Sequence, residues 1–198
     1  INSDGVLIRL RVNEISLFGR VTSGVKLMKT DEEVNVVSIS KIKMEEERIE
    51  MAVSLFKEGF NCSQSVVAAF ADKYGFTREQ ALRMSASFGG GIGRMRETCG
   101  AACGLFMLAG LETGAIEGAD RDGKARNYAV VQELAEEFKR RNGALKCADL
   151  LGLSKKEPVV STPEARTSQY YAKRPCVKMV EEAARIWCEY LEKATNEG

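Results

Sequence analysis

The chain has 198 residues, with 29 Lys and Arg against 28 Asp and Glu and no histidine. A net charge of +1 argues against a protein that holds nucleic acid by bulk charge alone, and 44% hydrophobic with 29% charged residues is an ordinary globular composition for one domain plus an appendage. The missing histidine excludes His-based triads, HExxH zinc sites and the usual general base, which leaves six cysteines as the unusual chemical resource.

The first 43 residues alternate on a period of two. Val6, Ile8, Leu10 and Val12 share one face while Arg9 and Arg11 point away, which predicts a half-buried strand. Val25 and Leu27, then Val34 and Val36, repeat the pattern between turn signals at Gly5, Gly19–Arg20 and Ser23–Gly24. Asp4 and Arg9 interrupt any signal-like apolar run, and the opening Ile1 reads as the start of a fragment. This segment carries 7 basic against 5 acidic groups and is too short to bury much core. Its strand edges are expected to seek partners, a second copy of the chain included.

From Met44 the period becomes helical. Ile49, Val53, Phe56 and Phe60 form one stripe with Gly59 as its stop. Asn61 is an N-cap for a helix presenting Cys62, Val66, Phe70 and Tyr74 and ending at Gly75. Thr77 and Gln80 predict a capping box for a helix to about Phe88. A glycine loop over 89–93 leads to a helix from about Thr98 that is apolar nearly all round, hence central. Its uncharged run, Cys99 to Leu111, has 13 residues and falls short of the roughly 18 that a spanning helix needs. A polar helix from about Asp122 to Arg141 presents Tyr128, Val131, Leu134 and Phe138. After a loop around Pro158, Pro163 opens a short helix holding Tyr170 and Tyr171, and Pro175 starts a last helix through Val177, Val180, Ala184, Trp187 and Leu191. The expected architecture is mainly α: a bundle of about six to seven helices over 44–198, with an antiparallel β segment over 1–43.

The glycine loop lacks the GK[ST] of a phosphate loop, since Gly93 is followed by Arg94-Met95-Arg96, and it follows a helix instead of the strand a dinucleotide fingerprint needs. Tight turning, or close approach to a site, is its expected role. Cys62, Cys99, Cys147 and Cys176 each fall in the expected first turn of a helix, where free N–H groups and the positive dipole end lower a thiol pKa. Arg94 and Arg96 before Cys99, Lys146 before Cys147, and Lys173 and Arg174 before Cys176 add cations. Cys103 follows Cys99 by one turn with a nearly parallel side-chain direction, which disfavours a disulfide between them. Cys188 beside Trp187 reads as core. The gaps of 37, 48 and 29 residues carry no C-x-x-C knuckle, so a reversible dithiol site fits better than zinc or an iron–sulfur cluster.

Cys99-Gly100-Ala101-Ala102-Cys103-Gly104, with Cys62 in an Asn-Cys-Ser-Gln setting, Cys147 and Cys176 downstream, and the Phe88-Gly89-Gly90-Gly91 approach, closely resembles the C-GCAxxG-C-C family of redox-active proteins. The resemblance covers roughly Met44 to Leu191. It implies redox activity without naming a substrate, and it maps the signature thiols onto Cys62, Cys99, Cys147 and Cys176, with Cys103 at a variable position of the motif and Cys188 outside it. The first 43 residues are similar to something else. Asp4-Gly5-Val6-Leu7-Ile8-Arg9, Glu14-Ile15-Ser16 and Gly19-Arg20-Val21-Thr22-Ser23-Gly24-Val25 resemble the last blade of the C-terminal domain of DNA gyrase A, a β-pinwheel that wraps DNA. The resemblance implies a gyrase A tail joined to a redox domain in the cytoplasm.

The leading expectation is therefore a cytoplasmic thiol redox domain in which Cys99 or Cys62 is a low-pKa nucleophile, another of the four thiols resolves the mixed disulfide, and Arg94 and Arg96 stabilise the thiolate. It requires no cofactor and leaves the thiol or disulfide partner open, as well as whether turnover occurs. A metal module using the same four thiolates for zinc or an iron–sulfur cluster is the first alternative. A DNA-binding accessory piece contacting phosphates through Arg9, Arg11, Arg20 and Lys26 is the second.

Overall fold

The structure, a computed structural model, describes residues 44–153 and 159–197. The chain divides into two units, Ile1–Ile42 and Lys43–Gly198, and the second is taken by itself. The expected β segment, its DNA-contacting Arg9, Arg11, Arg20 and Lys26, its proposed self-pairing, and the loop around Pro158 lie outside the described residues.

Eight α-helices run through the described residues: α1 Met44–Lys57, α2 Cys62–Ala68, α3 Arg78–Ser85, α4 Gly100–Thr113, α5 Arg121–Asn142, α6 Cys147–Leu150, α7 Ser168–Lys173 and α8 Cys176–Glu197. The fold is mainly α, with more and shorter helices than the periodicity predicts. The helix that starts at Cys62 closes at Ala69, and the chain continues through a 3-10 turn, Ala71–Tyr74, before left-handed Gly75 ends it. Likewise α3 gives way to a 3-10 turn at Ala86–Phe88. The expected helix at Pro163 does not form; α7 begins later, where the Thr167 side chain accepts the Tyr170 amide. Both capping boxes are present, Asn61 with Gln64 and Thr77 with Gln80.

The apolar helix α4 is central, packed by α2, α5 and α8, while α1 lies along α8 and α2. Ala101, Ala102, Leu105, Leu108 and Ala109 are fully buried on it, facing Phe56, Val66, Phe138, Val180 and Trp187 from the surrounding helices. Each large side chain buried there contributes about 1.5–3 kcal/mol. Tyr128, expected on the apolar face of α5, is exposed, whereas Leu134 and Phe138 are buried as predicted. No helix of the described residues is long and apolar enough to cross a membrane.

The small residues at the start of α4 let α2 come close. A Cβ at Gly104 would stand 2.9 Å from Val66 Cβ and 3.1 Å from the Ser63 carbonyl. One at Gly100 would stand 2.8 Å from the Phe88 carbonyl and 3.3 Å from Cys62 Cβ. The i, i+4 glycines of the Gly100–Gly104 run are thus a packing device, and they bring the first turns of α2 and α4 together.

Candidate functional site

Four chain segments deliver a cysteine to one corner of the bundle. Cys62 is the first residue of α2, held by the Asn61 cap: Asn61 Oδ1 accepts the Gln64 amide at 3.0 Å, and Gln64 Oε1 accepts the Asn61 amide at 3.1 Å. Asn61 Nδ2 also donates to the Ala86 carbonyl at 2.8 Å, fixing the cap against the end of the α3 segment. Cys99 is the N-cap of α4. Cys147 and Cys176 are the first residues of α6 and α8. The first-turn placement expected from the sequence therefore holds for Cys62, Cys147 and Cys176, while Cys99 stands one residue before its helix, as the N-cap.

Cys99 and Cys147 are registered by backbone. Thr98 and Lys146 form an antiparallel bridge, with the Cys99 amide donating to the Leu145 carbonyl at 2.8 Å and the Cys147 amide to the Glu97 carbonyl at 2.6 Å. Because alternate residues share a face, Cys99 and Cys147 lie on the same side of this short pairing. The preceding glycine loop turns left-handed: Gly90, Gly91, Ile92, Gly93, Arg94 and Arg96 all have φ between 55° and 77°. Each non-glycine residue there costs about 1–2 kcal/mol, most severely the β-branched Ile92. The loop is closed by amides reaching back, Gly93 to the Ser87 carbonyl at 2.7 Å and Glu97 to the Gly91 carbonyl at 3.1 Å. Gly91 faces the site: a Cβ on it would stand 2.6 Å from Cys147 Cβ and 2.8 Å from Arg96 Cα. The loop therefore approaches Cys147 closely at Gly91.

The thiol acidities differ from the sequence expectation. Cys99, Cys103, Cys147 and Cys188 are buried, while Cys62 and Cys176 keep partial access to solvent. Burial pushes Cys99 up to about 12, although the Ala101 and Ala102 amides point toward its sulfur and oppose the rise. Burial also raises Cys147 against the opposing pull of Arg96. Cys62 is driven well up as the donor toward Cys176, then by burial and the neighbouring sulfurs of Cys176, Cys99 and Cys147. Cys176 alone moves down, to about 7, because Cys62 donates to it and Arg174, Arg166 and Arg96 surround it, against burial. The helix dipole does not by itself overcome desolvation at these sites. Among the site thiols the downward shift falls on Cys176, whereas Cys99 and Cys62 move up. All six thiols are free.

The two expected thiolate-stabilising arginines separate in role. Arg96 faces Cys147 and Cys176. Arg94 turns away: its Nε donates to the Val160 carbonyl at 2.8 Å and its guanidinium meets Glu164 at 4.0 Å. Arg166 went unpredicted. It sits in an irregular stretch ten residues before Cys176, and no periodicity or cap marks it. Its guanidinium stands 4.4 Å from the Phe56 ring and 4.8 Å from that of Tyr170, while Nη2 donates to the Phe60 carbonyl at 3.2 Å. Cys103, within the motif run, points at the Thr98 carbonyl at 3.7 Å and is pushed up by burial to about 11. Cys188 is core, as expected. Among the described residues no group of three or more Cys, Asp or Glu side chains is gathered tightly enough to hold a metal ion, so the sulfurs share a neighbourhood without converging on one point.

Comparison with known proteins agrees with this concentration of chemistry. Residues 60–190 match the family described as "Putative redox-active protein (C_GCAxxG_C_C)". The chain is also 39% identical over 75 residues to the DNA gyrase A protein of Aeromonas salmonicida, a match that covers 36% of this chain and 8% of that protein. No solved structure matches the chain.

Proposed function

The chain belongs to the C_GCAxxG_C_C family, and we propose that it is a thiol–disulfide redox domain in which Cys176 is the nucleophile and Cys62 the resolving thiol. What supports this reading is the contact of α2 with α8, whose first residues, Cys62 and Cys176, are both partly exposed, with Cys176 shifted down and Cys62 shifted up. The Cys176 thiolate attacks one sulfur of a substrate disulfide, forming a mixed disulfide and releasing one substrate thiolate. Once Cys176 is in a disulfide it no longer carries negative charge. The interaction that holds the proton on Cys62 is then gone, and its pKa falls. Cys62 passes its proton to the released thiolate or to water and attacks Cys176 Sγ. The Cys62–Cys176 bond forms, the mixed bond breaks, and the second substrate thiol leaves. Two electrons pass from the protein dithiol to the substrate disulfide. Cys99 and Cys147 flank this pair with their protons on, and Arg96 supports the thiolate.

The test is stepwise oxidation of the reduced protein with a small disulfide, followed by peptide mapping. A first disulfide between Cys62 and Cys176 is expected, at a rate lost in Cys176→Ser. A first disulfide that leaves out Cys62 or Cys176, or release of the small thiol at an unchanged rate in Cys176→Ser, overturns the reading.

The likeness to gyrase A supports a second element, that the redox domain is joined to a gyrase A tail and works in the cytoplasm. Arg9, Arg11, Arg20 and Lys26 would then contact phosphates. DNA affinity should fall by orders of magnitude between about 50 and 200 mM salt; weak association insensitive to salt overturns this element.

A further inference from the structure

The corner that holds Cys176 contains far more positive charge than one thiolate needs. Arg94, Arg96, Arg166 and Arg174 come from the glycine loop, the segment before α7 and the residues before α8. Glu164 pairs with Arg174 and lies 4.0 Å from Arg94. Among the described residues neither Arg96 nor Arg166 has a carboxylate partner. Arg166 is the more telling. Its Nη1 is buried and has no hydrogen-bond acceptor, although a guanidinium presents five donors and loses free energy for each one buried unmet. Arg166 and Arg174 stand 4.8 and 5.1 Å from the ring of Tyr170, which they share. Phe56 meets Tyr171 edge to face with centroids 6.1 Å apart, and Tyr171 Oη donates to the Lys57 carbonyl at 3.2 Å. Arg166 therefore sits on a platform anchored to the end of α1 and cannot readily swing out to solvent. Beside Tyr170 opens a cleft of about 320 Å³, bordered by Leu151, Glu164, Thr167, Tyr170, Lys173 and Arg174. That volume suits a small ligand.

We infer that this corner is a binding site for an anionic disulfide, a small molecule whose carboxylates are taken by Arg166, Arg174 and Arg96 while its sulfur–sulfur bond meets Cys176. The inference rests on the redox reading above and adds the substrate class to it. Guanidinium forks match carboxylates in a bidentate way, and Arg166 Nη1 offers the donor that the protein itself leaves unused. One end of the ligand lies in the cleft beside Tyr170, which Arg174 and Lys173 border, and the rest reaches out of it toward Arg96, Arg166 and Cys176, none of which lines it. The exchange is the two-electron one already described, with the anionic disulfide as oxidant leaving as two thiols.

Three aliphatic disulfides of similar size separate the possibilities: dianionic dithiodipropionate, neutral bis(2-hydroxyethyl) disulfide and dicationic cystamine. The rate of Cys62–Cys176 formation in the intact reduced chain is read at about pH 7.5, where cystamine still carries its positive charges and one and the same Cys176 thiolate population meets all three compounds. At low salt the dianion should react roughly tenfold faster than the neutral compound and roughly a hundredfold faster than the dication, and the gap should narrow as salt is added. In Arg166→Gln the ratio of dianion to neutral rate should fall several-fold. The wild-type series alone decides the matter if that variant does not fold. Equal rates for all three compounds overturn the anionic site and leave the redox reading standing. Failure of all three to form the Cys62–Cys176 disulfide overturns both.

Discussion

Helix α8 carries two cysteines that the protein treats in opposite ways. Cys176, its first residue, is partly exposed beside Cys62, Arg174, Arg166 and Arg96, and its thiol is held at about 7. Cys188 lies three turns further along in the core next to Trp187, and burial pushes it up to about 12, with Glu45 adding to the rise. Both residues are the same chemical group on the same helix. The difference comes from what surrounds each sulfur: charge and donors at the helix start, hydrocarbon in the middle. Cys99 shows that the helix start is not sufficient, because it too stands at one and still rises with burial. The contrast therefore isolates the arginines and Cys62 as the cause of the lowered Cys176 pKa.

The largest effect should come from removing each sulfur in turn. Cys176→Ser should slow disulfide exchange by roughly a hundredfold or more, since a hydroxyl is not ionised at neutral pH. Cys188→Ser should leave the exchange rate within about twofold and lower stability by on the order of 1 kcal/mol, its hydroxyl taking over the contact to the Glu45 carbonyl. Thiol-exchange kinetics and thermal melts of the two variants measure this. Equal exchange rates in both would dissolve the contrast.

The next effect tests the seat of Cys147. Gly91→Ala forces a side chain into left-handed backbone at φ 77° and into Cys147 Cβ and the Arg96 backbone. It should cost about 2–3 kcal/mol, seen as a lower denaturant midpoint. Gly93→Ala, left-handed but with open space around it, should cost about 1 kcal/mol. Equal losses would mean that contact with the thiol site adds nothing.

Sequence patterning located what is local. The Asn61-x-x-Gln64 and Thr77-x-x-Gln80 spacings fix helix starts within one turn, and the unbroken apolar run after Cys99 marks the central helix. Such starts are what place Cys62, Cys99, Cys147 and Cys176 at or beside the beginnings of helices. Their acidities could not be read in this way, because desolvation depends on which helices close over each sulfur. Arg166 was equally invisible: its role depends on Phe56, 110 residues earlier in the chain. Pro163 misled because a proline permits a helix start without requiring one, and Thr167 supplied the cap instead.

A third effect follows from pH. The folded Cys176 value lies below its ordinary one, so the thiolate stabilises the fold in full above the ordinary thiol pKa near 9 and loses that contribution as pH falls through about 7. Wild type should therefore gain on the order of 2 kcal/mol over Cys176→Ser between about pH 6 and pH 9. For Cys188 the sign reverses: its raised value costs stability only above pH 9, where the unfolded thiol ionises and the buried one does not. Denaturant titrations of wild type and the two serine variants from about pH 6 to about pH 10.5 check both signs. A wild-type advantage that does not grow with pH would remove the electrostatic half of the contrast.

The smallest effect separates the helix start from the charges around it. Asn61→Ala removes the oxygen that accepts the Gln64 amide and the donor to the Ala86 carbonyl, and should cost about 1 kcal/mol. Asn61→Asp restores the acceptor and suits the dipole at the start of α2, but it sets a carboxylate oxygen where Nδ2 donates to the Ala86 carbonyl, so only part of the stability should return. The same carboxylate adds negative charge one residue from Cys62, the donor to Cys176, and should raise the Cys176 titration midpoint by roughly a few tenths of a unit. Alkylation rate against pH reads that midpoint. The aspartate variant should thus be more stable than Asn61→Ala yet less reactive at neutral pH, which a dipole-only account does not allow, because strengthening the helix start would then sharpen the thiol. A midpoint that falls in Asn61→Asp would return the credit for the acidity of Cys176 to the helix ends.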